Sequence, residues 1–486
     1  MRFSDKNNAF LFIILLLTFS VHAQKNSRIP SHPSGLKYDS LGWSIPSGEP
    51  YRLQMENGMI VYIAEDSLLP LVQISGFVRY GSLNDPAGKE GLSSLLATLM
   101  RSGGTKKYPA DTLVELIDLM AMKFNLSAGE TQFTFSASFL SEYTKEALDI
   151  LEQILFHPAF DEKKLEKERK IFLEAILHRF DNPAPTLNAA YKKVMYPGEE
   201  SSRMATAKSI KSITRDDLVK LHKKIIFPAN IIFSAAGSLK KDTLIKNLES
   251  AFPRSTKKNE SGFPTVEVKP SIKCLLVNKK ISQAYVRLAL PLFKRPHPDY
   301  YAVSVMNMIL GGGGFTSRLG TKIRSDAGLT YSIYSHAESN YNYPGTFLID
   351  FYTKNSSFAQ AVALTIEEVR KIAENGVTEE EITNAKSSLI GELPSMFRSP
   401  FDIVSTYAWN EYYGRQPDHY KVYAEKISKL TRDDILRVAK QYLVPENLTF
   451  VVVGDIDALM KVKDDQFSLS GMKSKTIPAD SIPALP

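Results

Sequence analysis

The sequence predicts an α+β fold made of two similar halves, each an antiparallel sheet packed with helices. Three observations predict it: two segments that repeat at one common offset, a change from helical to strand-like periodicity inside the repeat, and strand-like sequence at the start of each half. With 486 residues, 43% of them hydrophobic, the chain is long enough for two domains with substantial cores.

The repeat is clearest in residues 213–237 and 430–454, which align without a gap at an offset of 217 residues. Each copy opens with a threonine and an acidic pair, as at a helix N-terminus, and continues with apolar residues at helical spacing. A proline then ends the helix before a β-branched run that closes on glycine. The same offset relates residues 160–176 to residues 377–393, so we interpret the two halves as one fold used twice.

The first half begins with two β-rich segments, residues 59–64 and 72–79. They are flanked by Asn57-Gly58 and by Pro70, residues that typically bound strands. This pattern predicts an antiparallel pair of strands.

Residues 1–23 have the form of a secretory signal. Arg2 and Lys6 precede an apolar run, and Ala23 ends an acceptable cleavage site. An uncleaved anchor is the alternative, although the run of about thirteen apolar residues is shorter than the roughly twenty needed to span a bilayer. We therefore predict an exported protein, periplasmic or extracellular, without a stable membrane span.

Composition sets the remaining boundaries. They are an N-terminal extension at residues 24–46, a first domain at 47–253, a polar and Pro-rich solvent-exposed linker at 254–271, a second domain at 272–462 and a disordered tail at 463–486. The lone Cys274 cannot form an internal disulfide and is expected to be packed and inert. The net charge is +7, but the lysines occur as scattered pairs rather than as one patch. This distribution argues against nucleic-acid binding.

Several short motifs of the first half carry a family resemblance. They are Asn57-Gly58 with its strand, Gly81-Ser82 with Asp85-Pro86, and Gly91-Leu92 before a helix that ends at Gly103-Gly104-Thr105. Together they resemble the N-terminal domain of the pitrilysin-like, or insulinase-like, metallopeptidases, and the resemblance extends over most of the chain. It implies the fold of the mitochondrial processing peptidase, in which a chain of this length forms half of a clamshell.

In that family, the helix after the Gly-Leu pair carries an H-x-x-E-H motif. Its two histidines bind zinc from one helix face, its glutamate acts as general base, and a glutamate on a later helix completes the ligands. Here Ser94 and Thr98 stand at the histidine positions, Ala97 at the base and Ala175 at the later glutamate. Shifting the last register by one residue recovers Glu174, but a lone carboxylate cannot hold catalytic zinc, which needs about three protein ligands. The resemblance therefore implies no metal in this chain.

No other metal or nucleophile site is evident. The eight histidines are scattered. Glu174 and His178 are four residues apart on a predicted helix, which allows a weak metal site but favours a charge-paired surface. Ser94 has no histidine partner at a recognisable spacing, so an autonomous peptidase is disfavoured.

The second half contains Gly311, Gly312, Gly313 and Gly314, followed by Phe315 and then by residues 316–319 (TSRL) and 324–331 (RSDAGLTY). This stretch resembles the family's C-terminal substrate-binding segment. In relatives, an arginine and a tyrosine seven residues after it reach the substrate backbone. The resemblance implies that Arg324 and Tyr331 have this role here. A guanidinium and a phenol can donate hydrogen bonds to peptide carbonyls and to a developing oxyanion. Taken alone, the glycines would only end a helix and allow a turn; with no Gly-Lys-Ser/Thr after them, a nucleotide site is disfavoured.

The resemblance implies the non-zinc subunit of a heterodimeric zinc metallopeptidase. This chain would supply the Arg324 and Tyr331 half of the active site, and an exported relative with an intact H-x-x-E-H motif would supply zinc. The substrates would be peptides. The alternative is a non-catalytic peptide-binding or scaffold protein of the same fold.

Overall fold

The computed structural model describes residues 30, 32, 35–36, 42–253, 257 and 262–486. The predicted signal at residues 1–23, most of the predicted extension and part of the predicted linker lie outside these residues. Residues 1–44 and 45–486 are separate units. In the first, the Gly35 N–H donates to the His32 carbonyl at 3.0 Å. All elements below belong to the second.

The first half contains six strands and eight helices. The strands are β1 (Arg52–Gln54), β2 (Ile60–Glu65), β3 (Leu71–Val78), β4 (Lys123–Ala128), β5 (Phe133–Leu140) and β6 (Ile231–Gly237). The helices are α1 (Leu92–Ser102), α2 (Ala110–Leu119), α3 (Thr144–Phe156), α4 (Glu162–Leu177), α5 (Pro183–Met195), α6 (Ala207–Ser212), α7 (Arg215–Ile225) and α8 (Lys241–Ala251). Helices and strands alternate in blocks, as the predicted α+β class requires.

The second half contains six strands and seven helices. The strands are β7 (Cys274–Asn278), β8 (Gln283–Pro291), β9 (Thr330–Glu338), β10 (Thr346–Lys354), β11 (Thr449–Gly454) and β12 (Lys475–Pro478). The helices are α9 (Tyr300–Asn307), α10 (Phe358–Asn375), α11 (Glu379–Gly391), α12 (Pro400–Tyr413), α13 (His419–Lys429), α14 (Arg432–Tyr442) and α15 (Ile456–Leu459).

The two sheets have matching strand orders, β1-β2-β6-β3-β5-β4 and β12-β7-β11-β8-β10-β9. Most neighbours are antiparallel, but β6 runs parallel to β2, and β7 runs parallel to both β11 and β12. The sheets are therefore mainly antiparallel, as predicted, with three parallel pairs that the sequence did not predict. The late strand of each half returns through helices and inserts between the first two long strands. The sequence predicted that β2 and β3 pair with each other. Because β6 lies between them, each of them pairs with β6 instead.

The repeated sequence gives the same local structure in both halves. Helices α7 and α14 each begin at a capping box, Thr214 with Asp217 and Thr431 with Asp434, in which side chain and backbone bond reciprocally. The prediction that each of these two helices begins at a threonine followed by an acidic pair is confirmed. Cys274 is fully buried, as expected, and burial raises the pKa of its thiol to about 12.

Each half lends one helix to the sheet of the other. Helix α5 packs on β7, β8 and β11, whereas α12 packs on β2, β3 and β6. Both helices begin with a proline after a capping side chain, Asn182 or Ser399. In the α12 interface, the Trp409 ring lies 4.0 Å from the Phe77 ring. Packing therefore interlocks the two predicted domains.

The C-terminal tail is ordered, so the prediction of disorder for residues 463–486 was wrong. Strand β12 pairs with β7 at the sheet edge, the position that β1 occupies in the first sheet. Ile477, Ile482 and Leu485 are buried. These widely spaced apolar residues show no periodicity in the sequence, but they cover a sheet edge that would otherwise be open.

The described part of the predicted linker is anchored to the protein at a few points. Val266 is 2% exposed, and the Lys269 N–H donates to the Met195 carbonyl at 3.1 Å. Most of its other residues are exposed, so the linker is anchored at Val266 and otherwise accessible to solvent. No helix in the described ranges is both long enough and apolar enough to cross a bilayer.

Candidate functional site

The first part of the candidate site lies on helix α1. Leu95, Leu96 and Leu99 face the core and are fully buried. Ser94 and Thr98, one turn apart, are only half-buried and lie on the more accessible side of the helix, while Ala97 is buried. Ser94 and Thr98 thus share one accessible face of the helix, as two metal ligands would have to. Neither of them is the histidine that the motif has at its position.

The start of α1 is fixed by a buried carboxylate. Asp85 accepts hydrogen bonds from the Gly91 N–H and the Ser93 N–H, each at 3.1 Å, and from the Ser93 hydroxyl. Gly91 has φ +98°, a conformation that favours glycine. Burial raises the pKa of Asp85 to about 6, although the hydrogen bonds from Ser93 and Gly91 oppose the shift. Asp85 in the Asp85-Pro86 motif and Gly91 in the Gly91-Leu92 motif therefore orient the start of α1.

Helix α4 packs against α1. The Ser102 hydroxyl bonds both the Thr98 carbonyl, at 3.0 Å, and the Glu168 carboxylate, at 2.8 Å. Ala175, two turns beyond Glu168, is exposed. The two helices that carry the zinc ligands in the resemblance therefore touch, but Ala175 brings no ligand to them.

The one alternative carboxylate, Glu174, belongs to a surface cluster. Its Oε1 lies 3.2 Å from His178 Nε2, and His178 Nδ1 lies 2.7 Å from Asp181 Oδ2. The hydrogen bond to Asp181, followed by that to Glu174, raises the pKa of His178. The preferred interpretation, a charge-paired surface, is confirmed. No group of three or more His, Cys, Asp or Glu residues within the described ranges could hold a metal ion. The side chains at the four motif positions, serine, alanine, threonine and alanine, therefore do not fit zinc.

The glycine-rich segment of the second half ends helix α9, as predicted. The helix widens into a π-helical turn over residues 308–312. A Cβ atom on Gly311 would lie 2.5 Å from the Ser335 backbone nitrogen, and Gly314 has φ +63°. The glycines therefore let the chain turn and approach strand β9 closely.

The predicted Arg324 and Tyr331 come together beside this turn. Arg324 lies in a second wide helical turn at residues 320–326, and Tyr331 lies at the start of β9, the edge strand of its sheet. The Arg324 Cζ atom is 4.7 Å from the centroid of the Tyr331 ring. Tyr331 is 75% exposed. The pair is thus assembled on an accessible surface.

A third side chain, Phe315, completes this arrangement and was missed from the sequence. Its ring centroid is 3.8 Å from the Arg324 Cζ atom, and the side chain is 63% exposed. Arg324 is therefore stacked against two aromatic rings. The signal was present, since Phe315 directly follows the four glycines, but its role depends on a contact between residues nine positions apart.

The other arginine of this segment, Arg318, has a different role. It donates to the Glu381 carboxylate at 2.6 and 2.8 Å and to the Gly376 carbonyl at 3.0 Å. Burial of Glu381 opposes ionisation, but the bond from Arg318 prevails and lowers the pKa of Glu381. Arg318 holds α11 to the turn, whereas Arg324 contacts the Phe315 and Tyr331 rings, an arrangement that leaves guanidinium N–H groups available to an acceptor.

Two family descriptions match the chain. Residues 61–204 match the insulinase family, peptidase family M16, and residues 212–389 match the peptidase M16 inactive domain. Among relatives, the chain is 28% identical over 407 residues to a "non-peptidase homolog YmxG" of Helicobacter pylori, covering 81% of this chain and 91% of that one. It is 26% identical over 364 residues to an "uncharacterized zinc protease YmxG" of Bacillus subtilis, covering 74% and 87%.

Two solved structures have the same fold. A peptidase M16 inactive domain from Pseudomonas fluorescens aligns with a TM-score of 0.75 at 22% identity, covering 86% of this chain and 99% of that one. A protease from Helicobacter pylori aligns with a TM-score of 0.71 at 19% identity, covering 83% and 98%. The predicted α+β fold of two M16-like halves is confirmed. The two matched family descriptions, which together cover more than half of the chain, show that the chain belongs to peptidase family M16, the insulinase-like peptidases.

Proposed function

We propose that this chain is the non-zinc subunit of a heterodimeric M16 peptidase. It supplies Arg324 and Tyr331 to an active site whose zinc, bound by an intact H-x-x-E-H motif, belongs to a related partner subunit. The substrates are peptides. The observation that carries the proposal is the contrast between the two halves: the helix pair of the first half lacks metal ligands, whereas the second half presents an assembled and accessible arginine–tyrosine pair.

The chemistry of the pair supports this role. A guanidinium donates several N–H bonds in a planar fork, and a phenol donates one O–H bond. Both can bind a peptide carbonyl and stabilise negative charge that develops on its oxygen. Contacts with the Phe315 and Tyr331 rings restrict the motion of Arg324, so less conformational entropy is lost when substrate binds.

The first half supports the division of labour. Serine, alanine and threonine side chains at the four motif positions supply neither imidazole nor carboxylate, and catalytic zinc requires about three such ligands. Hydrolysis by this route then depends on another polypeptide.

A second candidate is a non-catalytic peptide-binding or scaffold protein. The name of the Helicobacter pylori relative, a non-peptidase homolog, favours it. The two candidates differ in one consequence: in a scaffold, Tyr331 and Arg324 affect binding at most, whereas in a catalytic complex they affect the rate of hydrolysis.

The test is to co-purify the chain with a related subunit that carries an intact H-x-x-E-H motif and to measure chelator-sensitive peptide hydrolysis. We expect activity in the complex and none in this chain alone. Arg324→Ala and Tyr331→Phe should each lower kcat/KM of the complex by about ten- to a hundredfold, the usual effect of losing a transition-state donor.

Tyr334→Phe is the matched control, because Tyr334 lies three residues along the same strand and is 38% exposed. It should leave activity unchanged. Unchanged hydrolysis in Arg324→Ala and Tyr331→Phe, in an intact complex, would contradict the proposal, as would stoichiometric zinc in this chain alone.

The location of the complex is part of the proposal. The signal-like composition of residues 1–23 supports export to a periplasmic or extracellular space, where the partner would also have to be exported. N-terminal sequencing of the mature protein tests it, with a start after Ala23 as the expected result and an unprocessed Met1 as the contrary one.

A further inference from the structure

A cavity of about 290 Å³ lies in the second half and shares no lining residue with the Arg324 and Tyr331 pair. Its walls come from the loop after β8, the first turn of α9, the turn between β9 and β10, and the segment that joins α12 to α13. Four tyrosines line it, together with Arg295, Arg415 and His419. Asp418 is the only acidic residue among the described lining residues, and it is exposed. The cavity is therefore aromatic and positively charged.

The two guanidinium groups are held by the tyrosine rings. The Arg295 Cζ atom lies 4.4 Å from the Tyr300 centroid and 4.2 Å from the Tyr341 centroid. The Arg415 Cζ atom lies 4.8 Å from both the Tyr341 and the Tyr413 centroid. Tyr341 thus contacts both arginines and brings two positive charges to one cavity.

The hydrogen bonds at this cavity leave donors in excess. Arg415 donates from Nε to the Tyr341 hydroxyl at 2.8 Å and from Nη1 to the Asn410 Oδ1 at 3.2 Å. In contrast, the buried Nε of Arg295, a lining residue, has no acceptor within the described part of the chain. A buried donor without an acceptor is unfavourable, so the site calls for an additional acceptor.

Two further features favour an anion. Burial, together with the nearby Arg415 and Arg295, lowers the pKa of His419 to about 4, so the imidazole is neutral at pH 7 and retains one N–H donor. His419 is also the first residue of α13, and a helix N-terminus attracts negative charge.

We propose that this cavity binds a carboxylate carried on an aromatic or apolar group, with Arg295 and Arg415 as its charge partners. A carboxylate matches the planar fork of a guanidinium, and the tyrosine rings offer an apolar surface to the group attached to it. A volume of about 290 Å³ suits one side chain with its carboxylate rather than a folded segment. The same chemistry occurs at the C-terminus of a peptide and in a small organic acid.

Calorimetry on the isolated full chain tests this with three probes: an acetylated tripeptide ending in phenylalanine, the same tripeptide with an amidated C-terminus, and phenylacetate. We expect the free acid to bind at least about tenfold more tightly than the amide, since a charge-assisted contact is lost in the amide. If phenylacetate binds as tightly as the tripeptide acid, the source is a small acid; if it binds more weakly, the source is a peptide C-terminus. Equal binding of acid and amide would overturn the proposal.

Variants locate the site. Arg295→Gln should weaken binding of the acid by about ten- to a hundredfold. Lys426→Gln is the charge-matched control, because Lys426 lies 4.9 Å from the neighbouring Tyr301 ring but does not line the cavity. Equal losses in these two variants would indicate a general charge effect and would also overturn the proposal.

If Arg295→Gln fails to fold, Arg295→Lys serves in its place, because it keeps the charge but loses the planar fork. It should show an intermediate loss of affinity, and unchanged affinity would count against a carboxylate held by the fork. These measurements need no partner subunit, so their outcome is independent of the proposed function.

Discussion

The guanidinium carbon of Arg324 lies 4.7 Å from the centre of the Tyr331 ring, and the Phe315 ring lies 3.8 Å from the same carbon. Three residues from different local structures thus form one stack, of which Phe315 and Tyr331 are well exposed. Exposed aromatic side chains gain little from burial, so their presence here indicates a role in orienting Arg324.

Phe315→Ala should therefore lower the activity of the proposed complex by about two- to fivefold, because a partly exposed cation–π contact contributes about 0.5–1 kcal/mol. Peptide hydrolysis by the complex is the measurement, and Phe315→Tyr, which keeps the ring, is the control. Thermal stability should be unchanged in both variants, since the side chain is 63% exposed. Equal activity of Phe315→Ala and the parent would show that the stack does not orient Arg324.

Glu411→Gln should weaken the contact between the two halves. Glu411, on α12, accepts from Arg52 at 2.8 Å and from Tyr62 at 2.9 Å, both in the first half. Because the contact is partly exposed, we expect a loss of about 1 kcal/mol in the free energy of unfolding at pH 7. Urea denaturation measures it.

The same contact should depend on pH. Burial of Glu411 opposes ionisation, but the hydrogen bonds from Arg52 and Tyr62 prevail and lower its pKa. The folded-state pKa therefore lies below the unfolded-state value of about 4.3, so this stabilisation is complete above that value and is lost as pH falls through the folded-state pKa. The stability difference between the parent and Glu411→Gln should shrink over that acidic range, and a difference that grows on acidification would contradict the assignment.

Removal of the tail should destabilise the second half. Ile482 is fully buried, so Ile482→Ala should cost about 2–4 kcal/mol, and deletion of residues 475–486 should cost more because it also uncovers the edge of β7. Thermal melting measures both, with Lys475→Ala, at an exposed position, as the control. A deletion variant with the melting temperature of the parent would contradict a stabilising role for the tail.

Cys274 should be unreactive in the folded protein. Its side chain is fully buried in the second sheet, and burial raises the pKa of the thiol to about 12, so very little thiolate is available near pH 8. A thiol-specific reagent should label it only after denaturant unfolds the chain. Fast stoichiometric labelling without denaturant would mean that strand β7 opens readily.

His419 should titrate well below the ordinary range of histidine. Burial is the larger cause of its pKa of about 4, and Arg415 and Arg295 add to it. Arg295→Gln should therefore raise the pKa of His419 only part of the way back to the ordinary histidine value. NMR titration of the imidazole signals measures it. A parent pKa near 6.5 would show that the cavity is open to water.

Local sequence determined the elements whose signals are local. The capping threonines Thr214 and Thr431 predicted two helix starts, and the glycines at 311–314 predicted a helix end. The residue types at 94, 97, 98 and 175 likewise determined what the first half lacks, because serine, alanine and threonine carry none of the imidazole, carboxylate or thiolate groups that bind zinc in proteins.

Other features depended on contacts between distant segments. The order of strands placed β6 between β2 and β3, the exchange of α5 and α12 joined segments far apart in the chain, and β12 covered a sheet edge. None of these leaves a periodic signal in its own segment, because each is stabilised by the surface that it covers.

The sequence by itself therefore determined the family, the two similar halves and the identity of the missing ligands. Only the tertiary structure decided that the tail is part of the second sheet, that Phe315 stacks on Arg324, and that Arg295 and Arg415 meet at one cavity. The physical reason is that side-chain chemistry and helix or strand periodicity are properties of neighbouring residues, whereas packing brings together groups whose separation in the chain carries no signal of their contact.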